Sequence, residues 1–193
     1  VIPNDIRLDI NALNNHFLKY GITHSYITTQ IAKLFISQVE ETSLKVLVAG
    51  GEKLGQINEI RPYRIVDAYG PTEACVYVIS ADTTDKIDYS SVGHVQNNTK
   101  AYILDNEFRR IPIGAIGELY LSGPQLADGY LNRPEETSKA FTINPFENNE
   151  KYKGLYCTGD VARLLPDGTY GIVGRRDGQV KIRGNRVELS EVE

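Results

Sequence analysis

Residues 44–50, LKVLVAG, are apolar at almost every position, and a strand with that pattern is of the kind buried on both faces rather than one that alternates between core and water. That requirement limits the surrounding chain to elements able to cover it. Residues 10–20 carry Ile10, Leu13, Phe17 and Leu18 at helical spacing, and Gly21 stands where a left-handed residue commonly ends a helix. ITHSYIT (22–28) then predicts a short strand, TQIAKLFISQVE (29–40) a second amphipathic helix, and residues 65–68 another buried strand. Helix and strand in alternation predict a parallel α/β sheet, whose ligands lie beyond the carboxyl ends of the strands. GGE (50–52) and YGPTE (69–73) both fall at such ends.

After Thr83 the pattern changes to short strands broken by turn residues, as in AYILD, IPIGAIGELYLSG and the long run 155–184, which predicts an antiparallel barrel or curled sheet. LPDGTY (165–170) signals a tight hairpin, because Asp-Gly accepts the positive φ angles of primed turns. NRPEETSKAFTINPF predicts a short helix from the glutamates to Phe141, stopped before Asn144-Pro145.

Composition removes several function classes. The 193 residues carry 21 Lys+Arg against 25 Asp+Glu, so no basic footprint for a phosphate backbone exists and nucleic acid is not an expected partner. Cys75 and Cys157 lie far apart without Cys or His partners at metal spacing, which argues against a disulfide framework or a zinc site. His16, His24 and His94 have no shared-metal spacing either, and read as structural or surface residues. No apolar run reaches membrane-spanning length and VIPNDIRLDI is not signal-like, so no membrane is expected and a cytoplasmic location is. The chain has no Met, begins inside a pattern and stops at VELSEVE as a helix starts, and so reads as a piece of a longer domain.

VDAYGPTEACVYV (66–78) places a carboxylate, a ring, a Gly-Pro turn and a Thr-Glu pair where a buried strand should end. Tyr69 offers a flat face, Thr72 a hydroxyl for an anionic oxygen and Glu73 a hard ligand for a cation such as Mg²⁺. Taken alone, YGPTE is equally an ordinary solvated turn.

The company it keeps is more specific. VLVAGGEKL, YGPTE, GELYLSGPQLADGYLNRPEETSKAF, YCTGD and GRRDGQVKIRGNRVELSEVE follow in that order. Together they closely resemble the amino-acid adenylation domains of nonribosomal peptide synthetases, within the superfamily of acyl-CoA synthetases and luciferases. The likeness is most specific from Val46 to Glu193.

That resemblance implies an α/β fold: the second half of a flavodoxin-like subdomain over 1–82, a small antiparallel β-barrel subdomain over 83–176, and a hinge with the start of a C-terminal subdomain over 177–193. It implies ATP-dependent formation of aminoacyl-AMP for transfer to the phosphopantetheine thiol of a carrier protein domain, as in antibiotic biosynthesis. Tyr69 would lie against adenine, Asp67 would stand where the family usually has Asn for the adenine amino group, Thr72 would bind the α-phosphate and Glu73 would ligate Mg²⁺. Gly51, Ala68 and Gly70 would line the nucleotide site. Asp160 would grip both ribose hydroxyls, Ile172 would take the place of a stacking Tyr, and Arg175 would lie near ribose and phosphates. Asp177 would be the hinge, with Gly178 supplying backbone freedom, and Lys181 with Gly184 would belong to a loop that enters the site for the second half-reaction. By themselves, Thr-Gly-Asp is more often a plain turn, Arg175 could be a surface arginine, and RRDGQVKIRGNR could be a charged hairpin.

Tyr26, Val48, Gly50, Ala68, Val76 and Tyr77 would line the side-chain pocket. Their mostly apolar character points to an aliphatic or aromatic amino acid, although ordinary core residues would look the same. The rivals are a stand-alone acyl- or aryl-CoA ligase and a noncatalytic scaffold of the same fold. The family's Gly/Ser/Thr-rich phosphate loop and its catalytic lysine do not occur in these residues, and the rest of the adenylation domain is an expected partner. Residues 1–193 alone are therefore expected not to form adenylate at a useful rate, which ATP–pyrophosphate exchange on the isolated piece checks; robust turnover would overturn the expectation.

Overall fold

The computed structural model describes residues 2–83, 91–176, 180–182 and 185–187. Helix α1, Ile10–Tyr20, starts where the Asp9 carboxylate accepts the Ala12 N–H (3.0 Å) and ends at Gly21, whose φ of 61° lets its own N–H turn back to the last turn's carbonyls. Ile10, Leu13 and Phe17 are buried, whereas Leu18, one residue round the helix, is 49% exposed.

Strand β1 (His24–Thr28), helix α2 (Thr29–Gln38), β2 (Val46–Gly50) and β3 (Arg64–Tyr69) follow as the periodicity predicts. β1, β2 and β3 pair in parallel, with Ser25, Leu47 and Ile65 in one row and Ile27, Ala49 and Asp67 in another. Both helices cover that face: Leu13, Phe17, Phe35, Ile36, Leu47 and Ile65 belong to one buried cluster. At about 25 cal/mol per Å² of apolar surface removed from water, burying side chains of this size supplies the main driving force for the layer. The opposite face, with Tyr26, Val48 and Val66 in register, is not sealed among the described residues: Val46 and Val48 are half-buried and Tyr26 is 44% exposed. Two-sided cover for residues 44–50 is thus found on one side only.

The sheet is mixed rather than parallel. β4 (Ile79–Asp82) runs antiparallel to β3, and β5 (His94–Val95) antiparallel to β4, giving the order β1-β2-β3-β4-β5. The reason is length. A parallel return needs about a dozen residues or more, whereas Tyr69 pairs directly with Ile79 across the short connection 70–78.

The second sheet is antiparallel, in the order β10-β9-β7-β6: β6 is Lys100–Leu104, β7 Gly117–Ser122, β9 Gly154–Leu164 and β10 Tyr170–Arg175. The short β8 (Phe141–Ile143) pairs with β9, so the helix α3 (Pro134–Ala140) stops one residue before Phe141, which begins a strand. The hairpin at 165–170 forms, but only Gly168 (φ 82°) takes a positive angle; its N–H donates to Leu165 O (3.0 Å), and Asp167 instead accepts the Thr169 N–H and hydroxyl. It is a wider glycine-ended loop, not a primed two-residue turn. The Tyr170 hydroxyl donates to Ala101 O (3.0 Å), linking the two end strands of the sheet, β10 and β6. β11 (Val180–Ile182) and β12 (Asn185–Val187) form a separate antiparallel ladder.

The two sheets are stitched at Gly93. The Tyr170 N–H donates to Gly93 O (2.9 Å) and the Val92 N–H to Tyr170 O (2.8 Å), while a Cβ at Gly93 (φ 97°) would collide with the Ser80 backbone. Gly114 has a similar φ (86°) with open space around it. Gly93→Ala is expected to destabilise the protein by at least about 3 kcal/mol and Gly114→Ala by about 1 kcal/mol. Denaturant midpoints compare the two directly, and equal losses would contradict the stitch.

Candidate functional site

The three parallel strands end side by side at Thr28, Gly50 and Tyr69. Beyond Tyr69 the backbone needs a residue without Cβ, because Gly70 packs against the backbone of Val76 and Tyr77. Pro71 then starts a single 3₁₀ turn, Thr72–Ala74, and the Val78 N–H returns to Tyr69 O (2.9 Å). Within that turn Thr72 is exposed, whereas Glu73 is only 6% exposed.

Facing these ends is a deformed stretch of β9. Glu118 pairs with Val161 but Tyr120 with Cys157, so Thr158, Gly159 and Asp160 together oppose Leu119. This is a bulge, made possible by Gly159 at φ 72° and pinned by the Thr158 hydroxyl, which donates to Leu119 O (2.8 Å) and accepts the Asp160 N–H (3.0 Å). A second irregularity, at Val173 in β10, lies alongside. Thr-Gly-Asp is therefore neither a turn nor regular strand; it re-aims Asp160 out of the sheet.

Asp160 closes a bridge between the sheets. The Tyr69 hydroxyl donates to its Oδ2, and Arg175 Nη1 donates to its Oδ1 (2.9 Å) and to Thr158 O (3.1 Å). The side chains of Arg175 and Asp160 are only 16% and 10% exposed, so each needs the other. Burial first, and the Asp160 charge second, push the Tyr69 hydroxyl well above the ordinary tyrosine range, which keeps it a donor. Arg176 turns to the other face and pairs with Glu118 (3.1 Å).

Between the two sheets lies a hollow of about 520 Å³. Gly51, Asp67, Ala68, Tyr69 and Gly70 line it from the first sheet, and Asp160, Ile172 and Arg175 from the second. Thr72 and Glu73 are not on its wall; Glu73 Oε1 instead accepts the Tyr130 hydroxyl (2.6 Å). Tyr26, Val48, Gly50 and Ala68 share the uncovered face of the first sheet, with the Tyr26 phenol so close over Gly50 that a Cβ there would strike it, and Val76 and Tyr77 sit exposed against Gly70. Lys181 lies in β11 and Asp177 outside the described residues.

Glu52, Lys53, Val92, Val173 and Gly174 also line the hollow without having been singled out. Glu52 and Lys53 were next in line after Gly51 in GGEKL, while nothing local marks Val92 or Val173, which a neighbouring sheet and a bulge bring in. Nothing local marks Tyr130, whose bond to Glu73 spans 57 residues of chain. The described wall carries three carboxylates (Glu52, Asp67, Asp160), two cations (Lys53, Arg175) and the Tyr69 phenol, groups that can hold a polar ligand by hydrogen bonds and charge. No group of three or more His, Cys, Asp or Glu able to hold a metal occurs among the described residues, and no helix among them is long and apolar enough to cross a membrane.

Residues 1–131 match the family described as AMP-binding enzyme. Along all of its length the chain is similar to bacitracin synthase 1 of Bacillus licheniformis (41% identical over 193 residues) and to surfactin synthase subunit 2 of Bacillus subtilis (43% identical over 193 residues). It spans only 4% and 5% of those proteins. A solved structure of an NRPS protein containing adenylation and PCP domains superposes with a TM-score of 0.83 at 25% identity, covering 95% of this chain and 39% of that one.

Next to the bulge, Cys157 donates to Glu118 Oε1 (2.9 Å), and burial foremost, then this carboxylate, pushes its thiol up to about 11. Cys75 is exposed. At pH 8 iodoacetamide is expected to alkylate Cys75 and spare Cys157, because the thiolate is the reactive form. Peptide mass mapping reads the result, and comparable labelling of Cys157 would contradict this packing.

Proposed function

This chain belongs to the AMP-binding enzyme family, and on that premise we propose that it serves the ATP-dependent activation of an amino acid in nonribosomal peptide synthesis. The aminoacyl-AMP so made would pass to the phosphopantetheine thiol of a carrier protein domain. Homology over the whole chain to the bacitracin and surfactin synthases, and a solved relative that contains adenylation and PCP domains, support that setting. On the same reading, the first sheet is the second half of a flavodoxin-like subdomain (1–82), the second a small barrel (83–176) to which β5 forms the seam, and residues from 177 on carry the hinge.

The observation that carries the proposal is the convergence of Asp67, Tyr69, Asp160, Ile172 and Arg175, from two sheets, on one hollow of about 520 Å³ at the carboxyl ends of parallel strands. Such an edge is where α/β sheets bind ligands. Asp160 suits the ribose: a carboxylate has about four lone-pair sites, so two remain after Tyr69 and Arg175 are served. Asp67 accepts from the adenine amino group, and the ring of Tyr69 with Ile172 flanks the base.

In the reaction a substrate carboxylate oxygen bonds to the α-phosphorus as the bond from that phosphorus to the bridging oxygen breaks, and pyrophosphate leaves with the electron pair. No protein nucleophile is required; holding two anions in line and neutralising the developing charge is the work. Arg175 and Lys53 bring positive charge to the hollow, and Thr72 offers a hydroxyl beside it. Glu73 and Thr72 suit Mg²⁺ in kind, since that ion takes one or two carboxylates and completes its octahedron with substrate phosphates and water. When bound, Mg²⁺ would neutralise phosphate charge. Tyr26, Val48, Gly50, Ala68, Val76 and Tyr77 would receive an apolar or aromatic side chain.

ATP–pyrophosphate exchange by the complete adenylation domain over a panel of amino acids tests this. The highest rates are expected with apolar or aromatic substrates. Asp160→Asn should raise the KM for ATP about tenfold to hundredfold with a smaller change in kcat, the loss expected when a charged acceptor of substrate hydroxyls becomes neutral. A best substrate that is charged, exchange with fatty or aryl acids but no amino acid, or an unchanged KM in that variant would sink the reading.

A further inference from the structure

The segment ADGYLNRPEET (127–137) stands apart from the hollow and has no part in the chemistry above. We infer that Tyr130, presented by this segment, is a positioning residue: its hydroxyl sets the orientation in which the Glu73 carboxylate can receive a nucleotide-borne divalent cation. The inference rests on the proposed reading of Glu73.

The turn that carries Glu73 is short. Glu73 sits in a three-residue 3₁₀ turn between exposed Thr72 and Cys75, and Cys75 has a φ of 73° that a side-chain-bearing residue rarely adopts. So short a turn has little internal rigidity. Among the described residues, ties reach it from across the fold. The Ala127 N–H donates to Glu73 O (2.8 Å), and the Tyr130 hydroxyl donates to Glu73 Oε1 (2.6 Å) across 57 residues of chain. One tie fixes the main chain and the other the carboxylate.

Tyr130 is itself held by Thr137 and Phe141. Its N–H donates to Thr137 Oγ1 (2.9 Å), while the same hydroxyl donates to Arg133 O (2.8 Å). Its ring meets Phe141 edge-on, with centroids 5.7 Å apart. Gly129, at φ 150°, packs so tightly on Thr137 that a Cβ there would collide with it. Packing against Phe141 alone would be met by phenylalanine; the hydroxyl adds the directed bond to Glu73. Because this donor is neutral, it fixes the carboxylate without cancelling its charge, as an arginine in the same place would. Hydrogen-bonded partners of ligating carboxylates orient them, and losing one lowers metal affinity about tenfold to hundredfold.

The test uses the complete adenylation domain with Mn²⁺ as a paramagnetic stand-in for Mg²⁺ and α,β-methylene-ATP, following free Mn²⁺ by electron paramagnetic resonance. Tyr130→Phe, which keeps the ring packing, should raise the Mn²⁺ dissociation constant in the ternary complex about tenfold while leaving metal-free nucleotide affinity and the thermal midpoint near those of the parent. Glu73→Gln should weaken Mn²⁺ further. Thr137→Val, which leaves phenol and carboxylate intact but frees the Tyr130 backbone, should give a smaller loss of the same kind. Wild-type Mn²⁺ affinity in Tyr130→Phe alongside a loss in Glu73→Gln would overturn the role of Tyr130 and leave the cation reading standing. Wild-type affinity in Glu73→Gln would remove that reading and the inference with it. Equal weakening of metal-free nucleotide binding in Tyr130→Phe would make the residue a general prop, which also overturns the inference.

Discussion

A carboxylate buried at a seam between two sheets sets the terms for this fold. Asp160 is 10% exposed at its side chain, and an isolated ion in that setting costs several kcal/mol unless donors meet it. The two donors come from different sheets, the Tyr69 phenol from β3 and the Arg175 guanidinium from β10. Only one relative placement of the sheets satisfies both, and the backbone bonds between Gly93 and Tyr170 impose the same placement independently. The hollow lies between the sheets beside that seam, while Val78, Ile79 and Val92 share a buried apolar cluster with Ile103, Leu119, Leu121 and Tyr170.

The elements that local periodicity controls were legible before any coordinates. α1 is bounded by Asp9 and Gly21, and β1, β2 and β3 lie where their apolar runs place them, because caps and core faces act within a few residues. Pairing direction was less accessible. The run 44–50 looks the same whether its neighbours are parallel or antiparallel, and what decides β4 is the shortness of 70–78, a constraint on the connection rather than on either strand. The helix expected to reach Phe141 stops at Ala140 for a related reason. The pairing of Phe141 with Tyr156 in β9, fifteen positions on, outweighs the propensity of the residues before it.

The candidate site divides along the same line. Asp67, Ala68, Tyr69 and Gly70 are contiguous, so a single strand end delivers them together and a motif reveals them. Asp160 was visible as part of YCTGD, but its aim depends on a bulge whose existence requires knowing that Glu118 and Tyr120 pair across it. A glycine inside a strand pattern was the available hint. Val92 and Val173 left no signal, since an apolar residue in a short strand is unremarkable until a second sheet arrives beside it. Glu73 illustrates the opposite case: Tyr69, at the end of β3, lines the hollow, whereas Glu73, in the 3₁₀ turn that follows Gly70-Pro71, sends its carboxylate to Tyr130.

The charges on the wall constrain which part of a nucleotide this hollow can serve. Glu52, Asp67 and Asp160 outnumber Lys53 and Arg175, and Arg175 is already committed to Asp160. A triphosphate placed among three carboxylates would be repelled, whereas hydroxyl and amino groups would find acceptors there. On the proposed reading the hollow therefore takes the nucleoside, and the phosphates project past Tyr69 toward the turn that carries Thr72. Neutralising them is then shared between Lys53 and Arg175 on the wall and groups outside it. A carboxylate that is not on the wall of the hollow, as Glu73 is not, suits that division, and the neutral Tyr130 hydroxyl leaves its charge in place.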